Sequence, residues 1–147
     1  MYQHILIPTD GSKLSERAAV AGVKLAAALG ARITGLFVAP PATPIVYERF
    51  LPVKYLTPDA HAEMIERAAE RFLGTIQRAA AAAGVRCECV TVTGDFPAEA
   101  IVQSATRRKC DLIAMASHGR HGVAAVLLGS ETQKVLAHAK VAVLVHR

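Results

Sequence analysis

The run Leu112-Ile113-Ala114-Met115-Ala116 is apolar at every position and gives way at once to Ser117-His118-Gly119-Arg120-His121-Gly122. A strand without alternation meets no water on either side, which is the situation of a parallel sheet covered by helices on both faces. Working outward, Pro97 to Arg108 reads as a helix before this strand and Val85 to Val92 as a strand before that helix. Downstream, Ser130 to His138 reads as a helix and Val141 to Val145 as a final strand.

The amino-terminal half repeats the alternation. A strand from Gln3 to Ile7 ends in the turn and cap residues Pro8-Thr9-Asp10-Gly11-Ser12. Leu14, Ala18, Ala21, Leu25 and Ala28 then recur at helical spacing until Gly30, and Ile33 to Val38 forms the next strand. Thr57-Pro58 fits an N-cap followed by proline in the first turn, opening a helix whose inner face is Ile65, Ala69, Phe72, Ile76 and Ala83 and whose stop is Gly84. Five strands alternating with helices give the α/β class: an open five-stranded parallel sheet wound by right-handed crossovers, with helices on both faces.

At 147 residues the chain has the size of one domain, expected to span 1–147. Hydrophobic residues make up 52% and charged residues 20%, a folding composition, and no apolar run approaches the ~18 residues of a membrane span. Pro8 and Asp10 interrupt the apolar opening Ile5-Leu6-Ile7 and no basic segment precedes it, so a cytoplasmic address is expected rather than export. Three cysteines form no disulfide framework; Cys87 and Cys89, on one face of their strand, are expected as small core residues and not as a zinc site. The net charge of +5 is scattered, Trp is absent and aromatics are 5%, which argues against nucleic acid and suits a small phosphate-bearing ligand. Arg107-Arg108-Lys109 reads as the complement of a helix C-terminus. Residues 40–58 hold five of the seven prolines, with Tyr47, Phe50 and Tyr55, and read as a long loop: a lid, a partner surface or a flap without function.

In an open parallel sheet, ligands sit beyond the carboxyl ends of the strands where strand order reverses. Two such segments are small, polar and glycine-bearing: Pro8 to Ser12, and Ala116 to Gly122 with the later Gly129-Ser130. A helix opening at Gly129-Ser130 would aim free N–H groups and its positive dipole end at a phosphate. Ser130 with Gln133 also reads as a plain capping box, and Asp10 as a plain helix N-cap. A carboxylate at Asp10 would repel phosphate unless it met a ribose or held Mg²⁺. His118, His121 and Arg120 could donate to phosphate or simply face solvent. There is no Walker lysine, nucleophile elbow or H-E-x-x-H, and the H-x-x-H at 118–121 lacks the glycine placement of nucleotidyl transferases.

The string Ala-Ser-His-Gly, nine residues, Gly-Ser, then a helix and Val-Ala-Val-Leu-Val resembles the universal stress protein family, in its small ATP-binding branch, over essentially the whole chain. That family's pattern is Gly, two residues, Gly, nine residues, Gly and Ser or Thr; Gly119, Gly129 and Ser130 match it, and Ala116 stands where the first glycine would be. The resemblance implies a Rossmann-like sheet in the order 3-2-1-4-5 with ATP (or ADP or AMP) between the ends of strands one and four. It implies Asp10 at the ribose or a Mg²⁺ ion, and Pro8, Thr9 and Val38 at the adenine. It implies that Gly119, Gly129 and Ser130, with the backbone at Ser117, His118, Glu131 and Thr132, hold the phosphates, that Met115, Ala116, Arg120 and Gly122 complete the nucleotide site, and it assigns no catalytic residue. It further implies a homodimer paired through Val141 to Val145 and a regulatory role toward a protein partner in the stress response. A nucleotide-free signalling dimer, should Ala116 spoil the cradle, and a slow Mg²⁺-dependent ATPase or phosphotransferase are the competing expectations.

Overall fold

The computed structural model describes residues 1–42, 58–119 and 127–147. Strands β1 (His4–Thr9), β2 (Arg32–Ala39), β3 (Cys87–Thr93), β4 (Leu112–Ala116) and β5 (Ala142–His146) form one parallel sheet in the order β3-β2-β1-β4-β5. The described helices are α1 (Lys13–Leu29), α2 (Pro58–Ala82), α3 (Pro97–Arg107) and α4 (Ser130–His138). None of them is long and apolar enough to cross a membrane. Most of the proline-rich segment 40–58, with Tyr47, Phe50, Tyr55 and Thr57, lies outside the described residues, as do Arg120, His121 and Gly122.

The sheet separates two cores, which explains the missing alternation in β4. Ile5, Ile7, Ile33, Phe37, Leu112 and Ala114 pack with Val23 and Ala26 of α1 and Phe72 and Ile76 of α2. Their neighbours Leu6, Leu36, Ile113 and Met115 pack on the other side with Ile101 of α3 and Val135 of α4. Because successive strand residues point to opposite faces, both must be apolar when both faces are roofed. Burying a side chain such as Ile113 completely contributes roughly 1.5–3 kcal/mol.

Several boundaries differ from those the sequence predicts. The first strand continues through Pro8 to Thr9 instead of ending at Ile7. The third starts at Cys87, because the Val85 amide turns back to Ala80 O at the end of α2. Ala83 lies past the helix and is exposed, and Ala80 takes the inner position. In α1 the buried stripe is rotated: Ser15, Ala19, Gly22, Val23 and Ala26 join Leu14 and Ala18, whereas Ala28 is exposed. Cys87 and Cys89 are half-buried rather than core. Arg107 is the basic residue in the last turn of α3, while Arg108, its C-cap, pairs with Glu88 at 3.0 Å.

At the amino-terminal end of the sheet, Asp111 fastens β1 to β4. Its two oxygens accept the amides of Gln3 (2.8 Å) and His4 (3.0 Å) while its own amide donates to His4 O (3.0 Å). Burial pushes the carboxyl group up, but the amide bonds prevail and hold it below its ordinary range. A group depressed on folding contributes fully above its unfolded value of about 4 and loses that contribution as pH falls through the folded one. Asp111→Ala is therefore expected to cost about 1 kcal/mol at neutral pH. In urea titrations the gap between wild type and variant should narrow as the pH drops below about 4.

Candidate functional site

The opening in the sheet follows from backbone direction and one residue type. Arg32 N donates to Gln3 O and Asp111 N to His4 O, so odd residues of β1 turn their peptide groups toward β2 and even residues toward β4. Pro8 is an even residue and has no N–H to give. Pairing between β1 and β4 is confined to Ile5↔Leu112 and Leu6↔Ile113, although both strands run further. β2 leaves β1 in one direction and β4 leaves it in the other, so the gap stands at the switch point of the topology.

Two loops enter this gap. After β1, Asp10 Oδ1 accepts the Ser12 amide (2.9 Å), and Thr9 Oγ1 lies between the Gly11 amide (3.2 Å) and the Ser15 hydroxyl (3.1 Å). The N-cap of α1 is Ser12, whose hydroxyl accepts the Ser15 amide, so Asp10 is not the cap. After β4, Gly119 lies against Asp10 Oδ2 so closely that a β-carbon on Gly119 would collide with the carboxylate. Gly129 lies against His118, where a β-carbon would come within 3.0 Å of the His118 Cα, and its amide donates to Ser117 O (2.8 Å). The two glycines thus let the segment after β4 approach the Asp10 carboxylate and the start of α4 approach His118.

The start of α4 faces the same gap. Gly129 is its N-cap with no side chain bonded over the end, and the first helical bond is Gln133 N to Gly129 O. The amides of Ser130, Glu131 and Thr132 therefore precede the helical ladder and carry the positive end of the dipole. The capping box expected of Ser130 and Gln133 does not form, because the Gln133 side chain donates to Leu128 O (2.7 Å). Ser117 is buried and its amide is already given to His146 O of β5 (2.8 Å), while its hydroxyl meets His118 Nδ1 (3.2 Å).

Ala116 is compatible with this arrangement. Among the described residues other than glycine only Lys109 has a positive φ, so nothing at position 116 demands glycine. The Ala116 methyl group is buried against Leu14 and Ala18 of α1, and its carbonyl accepts the Thr132 hydroxyl at 3.0 Å. Met115 is likewise buried, in the α3 and α4 core. Val38 is half-buried at the end of β2, beside a hollow of about 280 Å³ formed with Pro40, Pro41, Gly94, Asp95 and Pro97. A larger hollow, about 860 Å³, lies at the opposite end of the strands. The cations Arg32, Arg86 and Lys109 line it together with the carboxyl end of α1, which has no basic residue in its last turn.

This constellation accompanies a clear relationship. The chain matches the profile of the universal stress protein family across residues 1–147. It belongs to that family. A universal stress protein from Thermus aquaticus is 36% identical over 148 residues, covering all of both chains. Universal stress protein UspA from Lactobacillus plantarum is 27% identical with a TM-score of 0.76, covering 99% of this chain and 98% of that one. A universal stress protein solved in complex with cAMP is 26% identical with a TM-score of 0.71, covering 99% and 97%.

Within this universal stress protein fold, Pro8, Thr9, Asp10, Ser117, His118, Gly119, Gly129, Ser130, Glu131 and Thr132 all lie around the gap between β1 and β4. Glu131 and Thr132, expected here for their backbone, also work through their side chains. Glu131 Oε2 accepts the Ala98 amide (2.8 Å), tying the start of α4 to the start of α3, and the buried Thr132 hydroxyl ties α4 to the end of β4. The only hint of the first is an acid in the opening turn; the second is invisible without the fold. Thr132→Val should leave the shape intact and the Ala116 carbonyl without this donor, lowering stability by about 1–2 kcal/mol. Denaturant unfolding monitored by circular dichroism checks this.

Proposed function

We propose that this universal stress protein is a cytoplasmic regulator that binds an adenine nucleotide, with ATP as the leading candidate, between the carboxyl ends of β1 and β4. The observation that carries the reading is the convergence of the α4 amino terminus, the tight backbone at Gly119 and Gly129, and the Asp10 carboxylate at one opening of the sheet. A triphosphate needs N–H donors and a positive dipole end, which the first turn of α4 supplies. The base then lies toward Val38 and the ribose toward Asp10. The cAMP complex of the relative at 26% identity supports a nucleotide of this class.

Mg²⁺ fits the donor set only as a companion of the nucleotide. Among the described residues no group of three His, Cys, Asp or Glu could hold a metal, whereas Mg²⁺ is commonly bound through one or two carboxylates and phosphate oxygens. Asp10 is the carboxylate placed for it, and the ion would screen the repulsion between that carboxylate and a phosphate. The role is binding within one domain spanning 1–147, and occupancy is read out by a homodimer or a protein partner.

Saturating Mg-ATP should raise the melting temperature, since ~100-fold excess over Kd stabilises the native state by about 2.7 kcal/mol. Nucleotide released by heat from fresh protein should be identifiable by chromatography. A protein that carries none and whose melting temperature ignores millimolar Mg-ATP would end the reading. Ser130→Pro gives a sharper test, because proline is tolerated at the first helical position and Gly129, with φ −59° and ψ 153°, already has a backbone suited to precede it. Relative to Ser130→Ala, this variant loses one amide donor; ATP affinity should fall about tenfold or more with little change in the melting temperature of the free protein.

The dimer reading rests on β5, one of the two outer strands of the sheet, where Leu144 is 45% exposed beside exposed Ala142. A bare apolar edge of this kind is usually covered. Leu144→Asp should convert a dimer to a monomer in light scattering while the far-ultraviolet spectrum stays unchanged; an unaltered mass would place the interface elsewhere.

A further inference from the structure

Among the described residues outside the gap, two thiols lie together on β3. Cys87 and Cys89 are two residues apart on the face of β3 that meets α2, with their sulfurs 3.9 Å apart. Cys89 Sγ fills the space a β-carbon on Gly35 would need, 2.9 Å away, and lies 3.9 Å from Leu73 O. Cys87 is half-buried, is the first residue of β3, and β3 is an edge of the sheet. Two cysteines this close, one seated against Gly35 and one at the start of an edge strand, can do something that isolated packing thiols cannot.

We propose that Cys87 and Cys89 form a reversible dithiol that is oxidised by hydroperoxides, Cys87 meeting the peroxide and Cys89 resolving the product. The Cys87 thiolate attacks the distal peroxide oxygen, forming an S–O bond and breaking the O–O bond, and the departing alkoxide or hydroxide takes a proton and leaves as alcohol or water. The Cys89 sulfur then attacks the Cys87 sulfur; the S–S bond forms, the S–O bond breaks, and water leaves with the Cys89 proton. Two thiols and one peroxide thus yield one disulfide, one alcohol or water, and one further water.

The assignment of roles follows from surroundings. The thiolate is the reactive form. A hydrogen bond from Cys89 holds Cys87 below its ordinary range, and the same bond, together with burial, keeps Cys89 protonated. Residues i and i+2 of a strand have Cα atoms about 6.6 Å apart, near the upper end of the ~4.4–6.8 Å that a disulfide bridges. Closing the pair therefore asks for a small inward shift of Cys87. Its strand partner is Ile33 of β2, whose amide also holds the carbonyl of the preceding Arg86 (2.8 Å), so the shift falls on Cys87 itself at the start of the strand. Cys110 is the internal control: it is 4% exposed, and burial pushes its thiol up to about 11.

The test is intact-mass and peptide analysis of the reduced full chain treated with equimolar hydrogen peroxide. The expected result is the loss of two hydrogens from the peptide bearing both cysteines, reversed by dithiothreitol, with Cys110 untouched. Cys89→Ser should stop at one added oxygen on Cys87, captured by dimedone, and Cys87→Ser should give no capture at Cys89. Three wild-type results overturn the proposal: two or three oxygens on Cys87 in place of the disulfide, a disulfide between chains, or a Cys87 that survives excess peroxide. Because the wild type alone decides these, a variant that fails to fold does not rescue the idea.

Discussion

In β1 the peptide groups alternate between two neighbours, and the residue that should extend the ladder toward β4 past Leu6 is Pro8, which has no hydrogen to donate. The other features of the site depend on that missing donor. Pairing with β2 continues undisturbed to Thr9, so β1 stays straight and carries Asp10 to the end of the sheet, while β4 is released from it. Below the opening, Asp111 and the paired residues Ile5, Leu6, Leu112 and Ile113 keep the two strands together. The gap therefore has a fixed floor and two rims that are not paired with each other, which is what a ligand entering between two strands requires.

The rims are then held by bonds that leave some donors unspent. Ser117 gives its amide to His146 and its carbonyl to Gly129, and Thr132 gives its hydroxyl to Ala116. These bonds fix where α4 begins without using the amides of its first turn. A serine cap would have satisfied one of those amides internally, at a gain of roughly a few tenths of a kcal/mol over glycine. Glycine in that place forgoes the gain and leaves the helix end open to an anion. Gly129 also lets the helix lie against His118, a contact that any side chain would strain.

The strand and helix order was legible because the chain's patterning is unusually direct: β4 apolar throughout, α1 punctuated by Ser12 and Gly30, α4 opened at Gly129-Ser130. The site loops were legible because proline, glycine and small polar residues cluster after two strands. What composition could not show is which way a side chain faces. Ala116 reads as a possible obstruction until its methyl is seen against Leu14 and Ala18, and Ser130 with Gln133 reads as a capping box until Gln133 is seen bonded to Leu128. Pro8 reads as a turn residue because proline usually ends a strand. Only pairing direction shows that its missing donor falls on the side where the sheet parts. The α1 stripe slipped for a related reason: in a helix so rich in alanine, hydrophobic spacing says little about which alanines are inside.

Ser117 also shows how a ligand could be felt at the outer edge of the sheet. Its amide bonds His146, the last residue of β5, and its carbonyl bonds the residue that opens α4. One residue thus stands between the anion-facing helix end and the strand proposed to pair with a second copy. Such closeness is not coupling, because a ligand shifts an assembly only if it binds its states with different affinity. The arrangement does specify how that difference would arise. Were a bound phosphate to shift the α4 amides, the shift would reach Ser117 through its bond with Gly129 and then the end of β5 through its bond with His146. Assembly through β5 would hold that end in place and resist the same movement, so nucleotide and partner would each alter the other's affinity by an equal factor.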